Sequence, residues 1–264
     1  MPDPLAEVEF LARSANRIEI LATLSADAYT RRELGEAVDA SQPTIGRVLN
    51  DLSARSWIDY DGERYAATPT GAYVAAGITD LRDRLATEMR LREVIDYFPA
   101  DAVDLELDAF ADARITTPSV PRPNAPIERM TELLRETSHT SLVSYAFNSD
   151  KLELLHDRAV DGALTVRGVF AGEAIDAIAA DPTLRGMLRD VLDASGVEIR
   201  VTDESVPFAV EVTDERTHFL LRDADGVVRA SLDTDDDRVR AWAEETLDRY
   251  WTAAAPLTSD RLAE

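Results

Sequence analysis

Within residues 42–55, Ile45, Val48, Leu49 and Leu52 recur three and four positions apart, the spacing that gathers apolar side chains on one side of a helix. The other side carries Gln42, Pro43, Arg47 and Asn50, with Gly46 beside them. Upstream, Leu34 and Val38 give a shorter helix an apolar edge, and Asp39-Ala40 supplies the turn between the two. Downstream, 57–60 and 64–67 read as short strands around Asp61-Gly62-Glu63, a hairpin signal. Two more apolar-periodic helices, 5–11 and 18–24, precede them.

The polar residues at the helix starts fix the boundaries. Thr30 and Glu33 are spaced as a capping box, in which each side chain meets the other's backbone amide. Ser41 caps the next helix, and Pro43 falls in its first turn, where the missing amide costs little. Cap, helix, turn, helix and hairpin in this order predict a winged helix-turn-helix over 1–70, a unit that reads DNA. The amino-terminal end of its second helix meets base edges. Arg47 is suited to guanine and Gln42 or Asn50 to adenine by bidentate geometry, with Ser41 and Thr44 at the same end. Arg31 and Arg32 at the head of the preceding helix, and Arg64 on the wing, are the phosphate candidates.

From 68 a long helix runs to 97, with Val74, Ile78, Leu81, Leu85 and Met89 stepping by three and four. This stripe over 71–98 either forms a dimer interface or packs on its own domain. A proline-rich connection, 99–126 with PSVPRPNAP, leads to a second domain over 127–264. There, predicted strands 141–147, 164–170 and 197–202 alternate with helices 127–138, 149–160, 173–180 and 183–194. That alternation predicts an α/β sheet that begins parallel. Strands 208–212, 218–222 and 227–231 then follow closely, the last two turned at Ala224-Asp225-Gly226, as an antiparallel addition. Thr234 is the expected cap of a final helix whose packing face is Val239, Trp242, Ala243, Thr246 and Tyr250.

Charge complicates the DNA reading. The 264 residues carry a formal charge of -23, and Lys151 is the single lysine among 28 basic residues against 51 acids. Residues 1–70 hold seven arginines against twelve acids, so a broad basic patch is not the source of affinity. The balance resembles proteins of salt-loving archaea, for which molar salt screens charge over about 3 Å. Affinity is then expected from a few placed arginines, hydrogen bonds and dimerisation. Cysteine is absent, which excludes disulfides and thiolate chemistry. The start MPDPLAEVEF is not that of a signal peptide, and no run approaches the ~18 apolar residues of a membrane helix, so a cytoplasmic protein is expected.

The passages SQPTIGRVLNDL, SLVSYAFNSDKLELL and THFLLRDADGVVRASLDTDDDRVRAWAEETLDRYW resemble haloarchaeal transcriptional regulators. In these a winged helix is joined to the middle domain of a methanogenesis regulatory protein of filamentation-regulator type. The resemblance covers nearly the whole chain and implies a dimeric DNA-binding regulator whose second domain senses a ligand or mediates assembly. It also suggests kinship with the phospholipase D-like fold of some archaeal sugar-responsive regulators.

Catalysis is not expected. Phospholipase D chemistry needs two His-x-Lys pairs, and none of His139, His156 and His218 has lysine at the third place. The histidines lack zinc-ligand spacing. Asp233, Asp235, Asp236 and Asp237 form a carboxylate cluster able in principle to hold a hard cation, but helix capping explains it more simply. No cofactor or metal is expected. Small-molecule effectors collect beyond the carboxyl ends of strands in such sheets, which singles out Tyr145, Asn148, Phe170 and Glu173. The expected partners are a double-stranded operator, a second copy of the chain and an effector. The alternatives are a winged-helix module that docks on another protein without reading DNA, and a small-molecule enzyme.

Overall fold

The computed structural model describes residues 3–262 and resolves two compact units, with the boundary between Ala86 and Thr87. In the first unit, α1 (Pro4–Ala12), α2 (Ala15–Ala26), α3 (Arg31–Ala37) and α4 (Gln42–Ser53) are followed by β1 (Ile58–Tyr60) and β2 (Tyr65–Ala67). The expected apolar face of α4 is fully realised: Ile45, Val48, Leu49 and Leu52 are buried with Ile20, Leu21 and Leu34 in one cluster. The hairpin pairs Ile58 with Ala67 through Tyr60 with Tyr65, and Gly62 at its tip takes a φ of 106°, a conformation that only glycine adopts without strain. Tyr29 adds a further rung by exchanging backbone hydrogen bonds with Tyr65 at 2.8 and 2.9 Å. The result is a winged helix-turn-helix, buttressed by α1, whose Phe10 ring lies between the guanidinium groups of Arg17 and Arg55 at 4.0 and 3.5 Å.

Helix α5 (Pro69–Leu91) starts beside Trp57 and runs through the unit boundary. Gly71 is required there, because any side chain at this position meets the Trp57 backbone carbonyl. The helix ends at Leu91 rather than at 97, and a 3-10 turn, Ile95–Tyr97, takes over. Val74 and Ile78 pack on the first unit's core, whereas Leu81, Leu85 and Met89 are exposed.

The second unit contains β3 (Arg114–Thr116), α6 (Ala125–Glu136), β4 (His139–Ser144), α7 (Ser149–Val160), β5 (Thr165–Ala171), α8 (Gly172–Ala180), α9 (Pro182–Asp193) and β6 (Val197–Thr202). It continues with β7 (Ala209–Val212), β8 (Thr217–Arg222), β9 (Val228–Thr234), α10 (Asp237–Ala253) and β10 (Ala255–Pro256). All eight strands form one sheet in the order β10-β6-β5-β4-β7-β8-β9-β3. As the strand spacing predicts, β4, β5 and β6 are parallel and β7, β8 and β9 form an antiparallel meander. The edge strands β3 and β10 were not expected, being only three and two residues long.

Because successive residues face opposite sides, each strand contributes to two cores. Val143, Val169, Val210, Phe219 and Leu232 pack with α10 on one side; Leu142, Val166, Phe170 and Ile199 pack with α7, α8 and α9 on the other. The stretch 99–126 is more than a connection: Val103, Ala109, Phe110 and Ala113 are buried in the α10-side core, and β3 pairs with β9. Arg90 donates to the carbonyls of Ala111 and Ala113, tying the end of α5 to this stretch.

One further expectation is corrected, and the helix-capping reading of 233–237 holds at Asp236. Asp236, not Thr234, caps α10, its carboxylate accepting from the amides of Arg238 and Val239 at 2.8 and 3.4 Å, while Thr234 is the last residue of β9 and pairs with Thr217. The carboxylate cluster at 233–237 is also dispersed. Asp233 is fully buried against Arg129 and Arg216, and Asp236 serves the helix end.

Candidate nucleic-acid interface and effector pocket

The capping box forms as read: the Glu33 amide donates to Thr30 Oγ1 at 3.2 Å, and the Thr30 amide to Glu33 Oε2 at 2.7 Å. These bonds, the Thr30 backbone first among them, hold the Glu33 carboxyl below its ordinary range. With α3 fixed, α4 crosses it closely. Arg31 donates to the Gln42 carbonyl at 2.7 Å, and Gln42 Nε2 lies 3.5 Å from the Arg31 carbonyl. Gly46 sits under the Arg31 guanidinium, 2.6 Å from where its Cβ would be. The glycine therefore makes room for Arg31, a nearer reason than clearance for a duplex. Ser41 caps α4 by accepting from the Thr44 amide at 3.4 Å, and its hydroxyl lies 2.9 Å from that of Thr44.

The eight candidate DNA residues thus divide. Arg47 and Asn50 are exposed on α4 and make no side-chain bond to any described residue. Arg32 is 89% exposed with only an (i, i+4) pair to Glu36 at 3.2 Å, a contact that water and salt weaken readily. Ser41, Thr44, Gln42 and Arg31 lie at the same helix end but are engaged in forming it. Arg64 is a correction: its guanidinium donates to the Ala28 carbonyl at 2.7 Å and to Glu33 at 2.9 Å, so it braces the wing against α3. Around it the wing is acidic, with Asp59, Asp61 and Glu63 exposed. The backbone amides of Arg64 and Glu63 lower the Asp61 carboxyl, keeping it charged.

In the second unit, β4 is the switch strand, parallel to β5 and antiparallel to β7. Beside its carboxyl end lies a cavity of about 230 Å³ between the sheet and helices α6 and α7. Tyr145, Asn148 and Phe170 line it as the topology predicts; Glu173 does not, and instead borders a neighbouring cleft at the start of α8.

Sequence reasoning missed the buried polar row beneath this cavity. Glu211 on β7, His218 on β8 and Asp233 on β9 are in register and share the α6–α7 side of the sheet. Lys151 Nζ donates to Glu211 at 2.9 Å, and Thr140 Oγ1 donates to its other oxygen at 2.8 Å. Arg129 grips Asp233 with two bonds of 2.9 and 3.0 Å, and Arg216 pairs with the same carboxylate at 2.6 Å. Burial works to raise the Asp233 pKa, but the Arg129 bonds together with the charges of Arg129 and Arg216 outweigh it, and the carboxyl titrates below its usual range. His218 is fully buried; burial chiefly, helped by Lys151 and Arg129 and opposed by Glu211 and Asp233, pushes it down to about 4, so it is neutral at pH 7. Its Nε2 and the Tyr145 hydroxyl have no partner among the described residues. Glu211 stands out as the one polar residue of β7, but nothing local marks its partners.

The other two histidines are elsewhere, His139 beside Asp214 at 3.1 Å and His156 between Asp157 and Asp190. Among the described residues no group of three His, Cys, Asp or Glu side chains is placed to hold a metal, and no helix is long and apolar enough to cross a membrane.

The fold defines a two-unit chain, a winged helix-turn-helix joined to an α/β unit. Residues 123–253 match the model of the middle domain of the methanogenesis regulatory protein FilR1, and residues 5–90 match that of the HVO_A0261 N-terminal domain. The chain is therefore regulator-like, its second unit being of a kind found in a regulatory protein. Among solved structures it is similar to TrmBL2, an archaeal chromatin protein, at 17% identity over 97% of this chain and 100% of that one, with a TM-score of 0.43. Nuc from Salmonella typhimurium, a phospholipase D family member, is 13% identical over 56% of this chain and 99% of its own, also at 0.43. NucT from Helicobacter pylori is 10% identical over 55% and 98%, again at 0.43. No curated protein matches the chain.

Proposed function

We propose that the protein is a homodimeric, sequence-specific DNA-binding transcriptional regulator of the cytoplasm, with an α/β unit that senses a small effector. The observation carrying this reading is that the capped α4 leaves Arg47 and Asn50 exposed and unengaged, while every neighbouring group that shapes the motif is bonded within it. Arg47 forks onto guanine O6 and N7 and Asn50 onto adenine, each pair contributing about 1–3 kcal/mol of discrimination. Arg31 and Arg32 lie where phosphates pass. With the wing acidic, phosphate contacts are few and salt weakens binding only gently.

So few contacts call for two reading heads, since joining them raises the effective concentration of the second. The exposed Leu81, Leu85 and Met89 of α5 offer a surface for a second copy. No catalytic step belongs to this reading, because Lys151 is held by Glu211 and each of the two exposed-side histidines is paired with aspartate.

Selection of genomic fragments in molar potassium chloride tests the proposal. The expected result is a partly palindromic site, retained by the wild type and lost by Arg47→Ala at an unchanged melting temperature. Leu85→Asp is expected to give a monomer in sedimentation and to weaken operator binding. Failure to enrich any fragment overturns the reading. The acidic wing favours one rival, a module docking on a basic protein surface; there Arg47→Ala leaves the partner bound.

A further inference from the structure

The cavity beside β4 supports an inference that rests on the effector reading above. We infer that its ligand is a small uncharged molecule, apolar over most of its surface and bearing a single hydroxyl or carbonyl group, held between the sheet and helices α6 and α7.

Size comes first. An apolar cavity of roughly 150 Å³ accepts benzene, and about 230 Å³ accommodates one ring with a short substituent. A nucleotide exceeds it, and a sugar would bring many hydroxyls that the wall cannot satisfy. The wall is mostly apolar, with Ile127, Met130, Leu142, Leu220 and Val228 contributing.

Charge comes next. The cation in the wall, Lys151, is already neutralised by Glu211, and both are buried. An incoming carboxylate or phosphate would have to compete with Glu211 for that ammonium while losing its own hydration, and an ammonium ligand meets the converse problem. His218 is uncharged at neutral pH because it is buried. Arg222 covers the Tyr145 ring at 3.4 Å and is not part of the wall.

His218, a wall residue whose side chain lies on the α6–α7 side of the sheet, has unmet hydrogen-bonding capacity at Nε2 among the described residues. Neutral imidazole can complement a hydroxyl or a carbonyl oxygen. Such a group distinguishes the ligand from a plain hydrocarbon, since a buried polar group left unmatched penalises the analogue lacking it.

The test uses the full chain in molar potassium chloride and three probes of one shape: benzyl alcohol, toluene and benzoate. Calorimetry is expected to show one equivalent of benzyl alcohol bound, with toluene and benzoate each weaker by at least about tenfold. Val228→Trp, which fills the cavity, is expected to abolish binding with near-UV circular dichroism retained. His218→Leu provides an independent check, because it is expected to keep toluene binding and to erase the preference for the alcohol. Preference for benzoate, no binding by any probe, or undiminished binding to folded Val228→Trp overturns the inference. Operator affinity, measured alongside, separates the two readings. Benzyl alcohol that binds without altering it removes the effector role and leaves the ligand class standing, whereas an operator response to benzoate alone removes the ligand class and keeps the effector role.

Discussion

The two units handle their polar groups in opposite ways. In the winged unit Arg47 and Asn50, the residues proposed to read bases, stand exposed on α4 with no side-chain bond to a described residue, while Arg31, Arg64 and Glu33 make bonds that shape the motif. Beside the cavity of the α/β unit the charged groups are paired, Arg129 and Arg216 on Asp233 and Lys151 on Glu211, and the residues left with an unmatched polar atom include the neutral His218 and Tyr145. On the proposed reading an anionic polymer would be met at the surface, where water tempers the cost of charge, and a small ligand in the interior, where only neutral handles are cheap to leave open. The difference teaches that the number of charged residues says little about either site, and that their internal engagement says much.

Breaking the buried side gives the largest effect. Asp233→Ala leaves two guanidiniums facing an apolar sheet and is expected to destabilise the second unit by about 3–5 kcal/mol, read as a shifted urea midpoint. Protonation probes the same row more gently. His218 titrates at about 4 when folded against 6.5 for the free side chain, so below 6.5 the unfolded chain takes up a proton that the folded one refuses. Stability is therefore expected to fall by roughly 3 kcal/mol as pH drops from 6.5 to 4. This part of the pH dependence should vanish in His218→Leu; if the wild-type and variant curves remain parallel, His218 is not the titrating group.

On the winged side the sharpest contrast is Arg47→Ala. It is expected to change folding by less than about 0.5 kcal/mol yet to cost about 1–3 kcal/mol of operator affinity, measured by anisotropy against a scrambled duplex. Gly71→Ala perturbs the winged unit's packing without touching its reading face. It drives a methyl into the Trp57 carbonyl and is expected to lower stability by about 1–3 kcal/mol. The smallest effect has the opposite sign. Gly77 lies mid-helix in α5 with open space around it, so Gly77→Ala is expected to raise the melting free energy by about 0.5–1 kcal/mol.

Much of the winged unit was legible in the sequence because its determinants are local. The Thr30–Glu33 box, the Ser41 cap, the α4 stripe and the Gly62 turn each lie within a few residues of what they organise. Arg64 was misread because its acceptor, Glu33, is 31 positions away and joins it only once the wing folds back on α3. In the second unit the order of strands and helices was readable from alternating patterns, and the switch strand brought Tyr145, Asn148 and Phe170 to one rim. The polar row was not readable. Arg129 meets Asp233 across 104 residues and Lys151 meets Glu211 across 60, so no local window contains both partners. Strand β8 is covered on both sides, and its nearly continuous burial hides the alternation that would have marked His218 as facing inward.

Lys151 is the one lysine in the sequence, and its amine is sealed beneath α7 against Glu211. Acylation of that nitrogen requires its burial and its ion pair with Glu211 to be given up. The rate of side-chain acylation therefore reports how often that one buried pair is exposed, giving the protein a native chemical timer for the loosening of its cavity wall.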